Sequence, residues 1–259
     1  MKVSIIMPAY NEEKRIGRTL EAYSSFLNEK LDKRFDYQIL VVINGTRDKT
    51  EEVVREGIKK NKRIKFINLK RAGKGYAISQ GFYESLKGDF DNIGFVDADM
   101  ATSPEQYWRL IEKINGYDGM IADRYMKGSK ITPSFSFRRI AVSRIFNFLV
   151  RSFFAIPYGD TQCGAKLFKR NAIEQIISKI GMTQWAYDID LLYLCKLNGF
   201  RIKSVPTEWI EAQGSTLNLN KASIQMIFAI FQLRILKSRF KSALKVISPI
   251  VDFTYKLVR

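Results

Sequence analysis

Residues 94–105 read GFVDADMATSPE. Ile93 to Val96 is a short apolar run of the kind that fills a buried strand. It ends on two carboxylates one residue apart, Asp97 and Asp99, with the small Ala98 between them. A helix start follows, with Ser103 as cap, Pro104 at the first helical position and Gln106 three residues after the cap, the spacing of a capping box. In an extended segment, residues i and i+2 share a side. The two acids therefore repel each other unless a cation lies between them. Mg2+ commonly takes one or two carboxylates and completes its shell with phosphate oxygens and water. A turn cap before the helix is the plainer alternative for the same pair.

Alone, the pair favours the turn cap; the surrounding pattern brings the cation reading level with it. Val3 to Met7, Tyr37 to Ile43, Ile64 to Leu69, Ile93 to Val96 and Gly119 to Ala122 read as strands. Between them, Glu12 to Leu27, Asp48 to Lys60, Lys74 to Leu86 and Pro104 to Ile114 read as helices. Short β-branched runs alternating with amphipathic helices predict an α/β fold with a single, mostly parallel sheet covered on both faces. Ligands in such sheets bind beyond the carboxyl ends of the strands. Four loops stand there: Pro8-Ala9-Tyr10-Asn11-Glu12, Asn44-Gly45-Thr46, Lys70 to Lys74, and Asp97-Ala98-Asp99. In Arg71-Ala72-Gly73-Lys74-Gly75, two glycines let backbone N–H groups approach an anion and two cations add charge, although no Ser or Thr follows the lysine as in a Walker motif.

The second half is more aromatic and more basic. Ala165 to Phe168 reads as a strand, Asn171 to Lys179 and Tyr187 to Leu197 as helices, and Phe200 to Val205 as a strand ending at Pro206. Residues 1–220 are expected to form one catalytic domain. Residues 221–259 are expected to form a basic amphipathic helical tail with a break at Pro249.

Composition excludes whole classes of chemistry. The 259 residues include 43 Lys and Arg, 26 Asp and Glu and no His, a formal charge of +17. Histidine-based triads and histidine-ligated metals are therefore absent. A general base must be a carboxylate, lysine, tyrosine or the substrate. The charge points to an anionic partner: a phosphorylated ligand, an acidic membrane surface or nucleic acid. Paired acids at a strand end argue against a nucleic-acid groove there. Cys163 and Cys195 lack zinc spacing and are expected to be reduced, packed thiols of a cytoplasmic protein. The N-terminal apolar run lacks the length and cleavage site of a signal peptide, and no stretch approaches the roughly 20 apolar residues of a spanning helix.

Five stretches taken together resemble glycosyltransferase family 2. They are PAYNEE (8–13), Asp97-x-Asp99 after the fourth strand, DRY (123–125), DTQCGAKLFKR (160–170) and WAYDIDLLYL (185–194). DTQCG-x-KLF and the acid two residues after WAYD are similar to the dolichyl-phosphate β-glucosyltransferase branch, with dolichyl-phosphate mannose synthases as near relatives. The resemblance implies a nucleotide-diphospho-sugar transferase fold with C-terminal amphipathic helices. It also implies inverting transfer of a hexose from UDP-glucose, or alternatively GDP-mannose, to a polyprenyl or dolichyl phosphate, or to a glycan.

By the same resemblance Asp97 and Asp99 bind Mg2+ or Mn2+, and Pro8, Ala9, Tyr10, Glu12, Asn44, Arg71, Lys74 and Ala98 line the donor pocket. Arg124 lies near the diphosphate or acceptor phosphate, and Asp188 contacts sugar or acceptor first and acts as a base second. Arg138, Arg139, Gln162 and Trp185 complete the acceptor side. Two departures stand out. Ile43-Asn44 replaces the usual pair of aspartates before Gly-Ser, leaving Asn44 to hydrogen-bond a base edge. Gln213-Gly214-Ser215-Thr216 carries no charge where relatives are basic. Acceptor-phosphate contacts then fall to Arg138, Arg139 or Lys166, or the acceptor is not a lipid phosphate.

FSFRRIAVSRIFNFLVRSFFAI (135–156) interleaves arginines with large apolar residues. It fits either a helix lying in a lipid interface or an amphipathic helix packed on the sheet. Each basic residue near an anionic leaflet contributes about 1 kcal/mol. Peripheral attachment to the cytoplasmic face of a membrane follows from the charge and the lipid acceptor. The readings from other classes are a nucleic-acid-binding protein and an inactive membrane adaptor on the same fold.

Overall fold

The computed structural model describes residues 1–134, 136–181, 184, 186–211 and 219–238, without the side chains of residues 138 and 219–224. Trp185, Gln213 to Thr216 and Pro249 lie outside the described residues. In chain order the elements are β1 (Lys2–Ala9), α1 (Ile16–Glu29), β2 (Asp36–Asn44), α2 (Thr50–Lys60), β3 (Ile64–Leu69), α3 (Lys74–Leu86), β4 (Asn92–Val96), α4 (Pro104–Lys113) and β5 (Gly119–Asp123). There follow β6 (Lys130–Thr132), α5 (Phe137–Phe154), β7 (Ala165–Lys169), α6 (Arg170–Ile176), α7 (Tyr187–Leu197), β8 (Ile202–Pro206), β9 (Glu208–Ile210) and α8 (Leu219–Leu236).

Seven strands form one sheet in the order β3-β2-β1-β4-β7-β5-β8. β7 alone runs antiparallel, wedged between β4 and β5, with Val96 opposite Ala165 and Ile121 opposite Lys166. The sheet bears out the mostly parallel α/β reading. Its strands read as unbroken apolar runs because both faces are covered. Alternation along β1 and β2 splits the core. Ile6, Leu40 and Val42 face a cluster with Phe82, Phe95, Phe154 and Leu192. Ile5, Met7, Ile39, Val41 and Ile43 face one with Leu20, Tyr23, Tyr107 and Leu110.

Three local expectations change. Ser103 is the cap residue of α4 and Pro104 opens the helix, but no side chain caps it. Gln106 instead accepts from Arg109 and from the Glu208 backbone N–H, tying α4 to β9. α1 begins at Ile16 rather than Glu12, because Asn11 takes a left-handed φ of 53° and its side-chain Oδ1 accepts from Arg47 N–H. The short ribbon of β6 and β9 has no apolar alternation long enough to read from sequence.

α8 starts two residues before the expected boundary at 220. Ala229, Ile230 and Leu233 are buried in the same core as α5 and α7. Lys237, just past α8, pairs with the fully buried Asp190 of α7 at 2.9 Å. No helix among the described residues is long and apolar enough to cross a membrane.

Glycine at 75 is dictated by packing, since a Cβ there meets the Tyr187 ring at 2.6 Å, where α3 crosses the start of α7. Gly75→Ala gains at most about 1 kcal/mol of helix propensity, while overpacking a filled core costs about 1–3 kcal/mol. Urea unfolding should show a net loss of about 1–2 kcal/mol.

Candidate active site

The candidate residues gather at the carboxyl edge of the sheet. Asp97 and Asp99 follow β4 directly. Thr19 Oγ1 donates to Ala98 O at 2.7 Å and Tyr23 Oη to Thr102 O at 2.8 Å, so α1 holds the acidic loop by its backbone. Met100 adopts a left-handed φ of 62° inside it, and Ala101 N–H donates to Asp99 Oδ1 at 3.0 Å. Gly164, just before β7, lies under the Asp97 carboxylate so closely that a Cβ would overlap it. This is the physical reason for glycine in DTQCG.

The acids are matched by cations. Lys74, first residue of α3, approaches Asp97 Oδ1 to 2.5 Å. Burial opposes its charge, but Asp97, Asp188 and Asp99 together hold its pKa above the ordinary lysine value. Tyr187 packs against Gly75, next to Lys74, which puts the adjoining Asp188 on the same side of the site. Burial, reinforced by Asp97, pushes Asp99 above the usual carboxylate range. Burial does the same to Glu12, which Arg15 clamps with two contacts of 2.7 Å.

The donor set at Asp97 and Asp99 is hard oxygen. Among the described residues no three acids, cysteines or histidines form a metal cluster. The pair therefore suits a cation that draws its remaining ligands from a diphosphate.

The first three loops are knitted together. Asn11 N–H donates to Thr46 Oγ1, Glu12 N–H to Thr50 Oγ1 and Glu13 N–H to Asp48 Oδ2. Pro8 and Ala9 are buried, whereas Tyr10 and Arg71 are exposed, Arg71 over the Tyr76 ring at 5.0 Å. Asn44 is buried, and its amide is spent within the protein. Nδ2 donates to Ala9 O and Oδ1 accepts from Gly73 N–H, each at 2.9 Å. Asn44 thus ties the first loop to the third and has no free edge for a base, while Ile43 is core.

On the acceptor side, Arg124 is held by Asp160, Nε to Oδ2 at 2.6 Å and Nη2 to Oδ1 at 3.0 Å, and lies 5.5 Å from the Trp209 ring. Asp160 is 1% exposed. Burial would raise it, yet the Arg124 charge and hydrogen bonds hold it below the usual carboxylate range. Arg139 pairs with Glu211 and stacks over Trp209. Gln162 Nε2 is buried without a hydrogen-bond partner among the described residues. Asp188 sits in the first turn of α7, paired with Lys166 at 2.6 Å. Lys166 is itself fully buried, which removes it from the candidate phosphate contacts. Both cysteines are free and buried, and burial pushes each thiol up to about 12.

Arg124→Met should cost about 3–5 kcal/mol in denaturant unfolding, because it strands a buried carboxylate. The sign with pH follows from the lowered Asp160 pKa. In the wild type the pair's contribution is full above about pH 4, the unfolded value, and is lost only as pH falls through the lower folded value.

Comparison with known proteins agrees with this geometry. Residues 4–177 match the family described as Glycosyl transferase family 2. A dolichyl-phosphate beta-glucosyltransferase of Dictyostelium discoideum is 33% identical over 243 residues, covering 90% of this chain and 73% of the relative. A human protein of the same name is 31% identical, covering 83% and 69%. The fold matches glucosyl-3-phosphoglycerate synthase from Mycobacterium tuberculosis in complex with UDP, with a TM-score of 0.67 at 17% identity over 92% of this chain and 82% of that one. A complex of the same synthase with Mn2+, UDP and glucosyl-3-phosphoglycerate gives 0.65 at 18% identity, covering 90% and 79%. The sheet is thus a nucleotide-sugar transferase fold, and the chain belongs to glycosyl transferase family 2 and is a glycosyltransferase.

Proposed function

We propose that this enzyme transfers glucose from UDP-glucose to a polyprenyl or dolichyl phosphate, with inversion, at the cytoplasmic face of a membrane. The observation that carries the reading is the Asp97–Asp99 pair at the end of the central β4, with Lys74 against it and Asp188 on the same side. The names of the relatives support the acceptor and the sugar. UDP in the structural neighbours supports the donor.

Asp97 and Asp99 would hold Mg2+ or Mn2+, which neutralises charge on a leaving diphosphate. The rest of the task falls to side chains. A phosphate-monoester oxygen attacks C1 of glucose as the C1–O bond to the diphosphate breaks, and both electrons of that bond leave with UDP. The acceptor oxygen is already ionised near neutral pH, so no base is required and orientation dominates. Asp188 would contact a sugar hydroxyl, Gln162 Nε2 would donate to an acceptor or sugar oxygen, and Lys74 would move from Asp97 toward the diphosphate. Tyr10 and Arg71 would flank the nucleotide.

The membrane reading rests on α5 and α8. Phe146, Val150 and Phe154 of α5 are buried, while Phe137 and Phe148 on the opposite face are 88% and 68% exposed. Ile145 joins them, and exposed Arg144 and Arg151 flank the same face. α8 adds Phe228 and Phe231, the latter against Phe153 at 5.3 Å. An apolar ridge edged by arginines suits burial in the acyl boundary with cations at head groups. The buried face supports the packed-helix reading of this segment, and the exposed face supports the lipid-interface one.

Purified enzyme given UDP-glucose, Mn2+ and dolichyl phosphate in detergent should form a glucolipid that partitions into organic solvent. Asp99→Ala should lower that rate at least about 10²-fold with unchanged circular dichroism; an active, folded variant would remove the metal assignment. Phe148→Glu should weaken sedimentation with anionic vesicles about tenfold while transfer in detergent is kept. Unchanged vesicle binding would place the lipid contact elsewhere.

A further inference from the structure

Below the acidic loop, a lysine lies on a central strand with no access to water. Lys166 is 0% exposed. Its backbone is fixed between β4 and β5, opposite Phe95 and Ile121, and Tyr107 Oη donates to its carbonyl at 3.2 Å. The Nζ donates to Cys163 O and to Asp188 Oδ1, each at 2.6 Å, and stands 5.2 Å from the centre of the Phe95 ring. Desolvating an ammonium costs several kcal/mol, and only a close partner with further hydrogen bonds offsets it. The two acceptors do so. In return they make Lys166 a tether from the sheet to the first turn of α7.

The tether is one-sided. Asp188 is 13% exposed, and its Oδ2 has no protein hydrogen-bond partner among the described residues. The carboxylate is thus gripped by one oxygen from the sheet and left free at the other. Among the described residues the one side-chain cation bonded to it is locked in a strand, so the carboxylate cannot turn without breaking a buried ion pair. Tyr187 next to it packs on Gly75 at the start of α3, so the turn that carries Asp188 is also held from the donor side.

We infer that Lys166 is a positioning residue for the transfer reaction, holding the Asp188 carboxylate in a single orientation so that Oδ2 meets the substrate. The inference rests on the proposed role of Asp188 as a substrate contact. A lysine that merely stabilised the fold would act independently of Asp188 chemistry; a positioning lysine acts through it.

The first test needs no substrate. In a crystal structure of Lys166→Met, which keeps the length of the chain and removes the charge, the Asp188 carboxylate should leave its place beside Cys163 O while the strands superpose. A carboxylate that stays put overturns the inference whatever donor the enzyme uses. The second test is a double-mutant cycle on transfer. Lys166→Met should lower kcat about 10²-fold with acceptor KM within about threefold, yet cost less than about threefold in an Asp188→Asn background. Equal fold losses in both backgrounds overturn it. Should the Met variant fail to fold, Lys166→Gln, which removes the charge and shortens the side chain, is put through the double-mutant cycle alone, and equal fold losses in both backgrounds again overturn the inference. Absence of transfer by the wild type from any nucleotide-sugar counts against the glucosyltransferase reading alone, and the crystallographic arm still decides the role of the lysine.

Discussion

Converging acids at one edge of the sheet are the constraint on which this architecture turns. A parallel sheet delivers its strand ends to one edge, and this chain places Asp97, Asp99, Asp160 and Asp188 there or just beneath. Uncompensated, such charges would each cost several kcal/mol. The chain supplies a cation to match: Lys74 to Asp97, Arg124 to Asp160, Lys166 to Asp188, and Arg15 to the neighbouring Glu12. These cations differ in how freely they can leave. Lys74 is 48% exposed, so its pair with Asp97 can open into solvent at little cost. Arg124 and Lys166 are locked, and their acids are fixed with them. The same device thus separates the acid whose cation can leave from the acids whose cations cannot.

The close approaches follow from that arrangement. β7 has to enter beside the acidic loop in the opposite direction, and only glycine at 164 lets it pass under Asp97. α3 has to bring Lys74 to the same carboxylate while touching Tyr187, and only glycine at 75 permits it. Asn44 then pulls the first and third loops together from below. Carboxylate in place of its Oδ1 could still accept from Gly73 N–H, but it could not donate to Ala9 O. The asparagine therefore does a structural task that an aspartate at this position cannot do in full.

Much of this was legible in the sequence, and the parts that were not share a cause. The alternation of strands and helices, the strand-end position of Asp97 and Asp99 and the motif series all rest on local pattern, and each emerged with its type correct. Directions and partners were hidden. AKLFK reads as a strand, but nothing local says that it runs antiparallel. Lys166 on a strand suggests an exposed face until both faces prove to be covered. Asn44 read as a base contact because its hydrogen-bond partners lie 35 and 29 residues away. Gln106 has the capping-box spacing, yet β9 offers it a partner 102 residues away. Local rules describe what a side chain can do; tertiary contacts decide which option it takes.

The C-terminal helix ties the two halves of the proposed activity into one body. α8 packs on α5, and the pair forms the exposed aromatic ridge. Just past its end, Lys237 reaches Asp190, whose other oxygen accepts from Gly181 N–H at 2.7 Å. Asp190 lies two residues after Asp188 on α7. The helix that presents apolar side chains outward is therefore anchored to the same two turns that present Asp188 inward. On the proposed reading, a lipid phosphate drawn to the ridge would meet a carboxylate tied to the sheet through Lys166 and lying two residues from the Asp190 that Lys237 holds. For an acceptor that needs orientation more than deprotonation, a rigid path from the lipid-facing helices to the sugar-facing carboxylate is the geometry that matters.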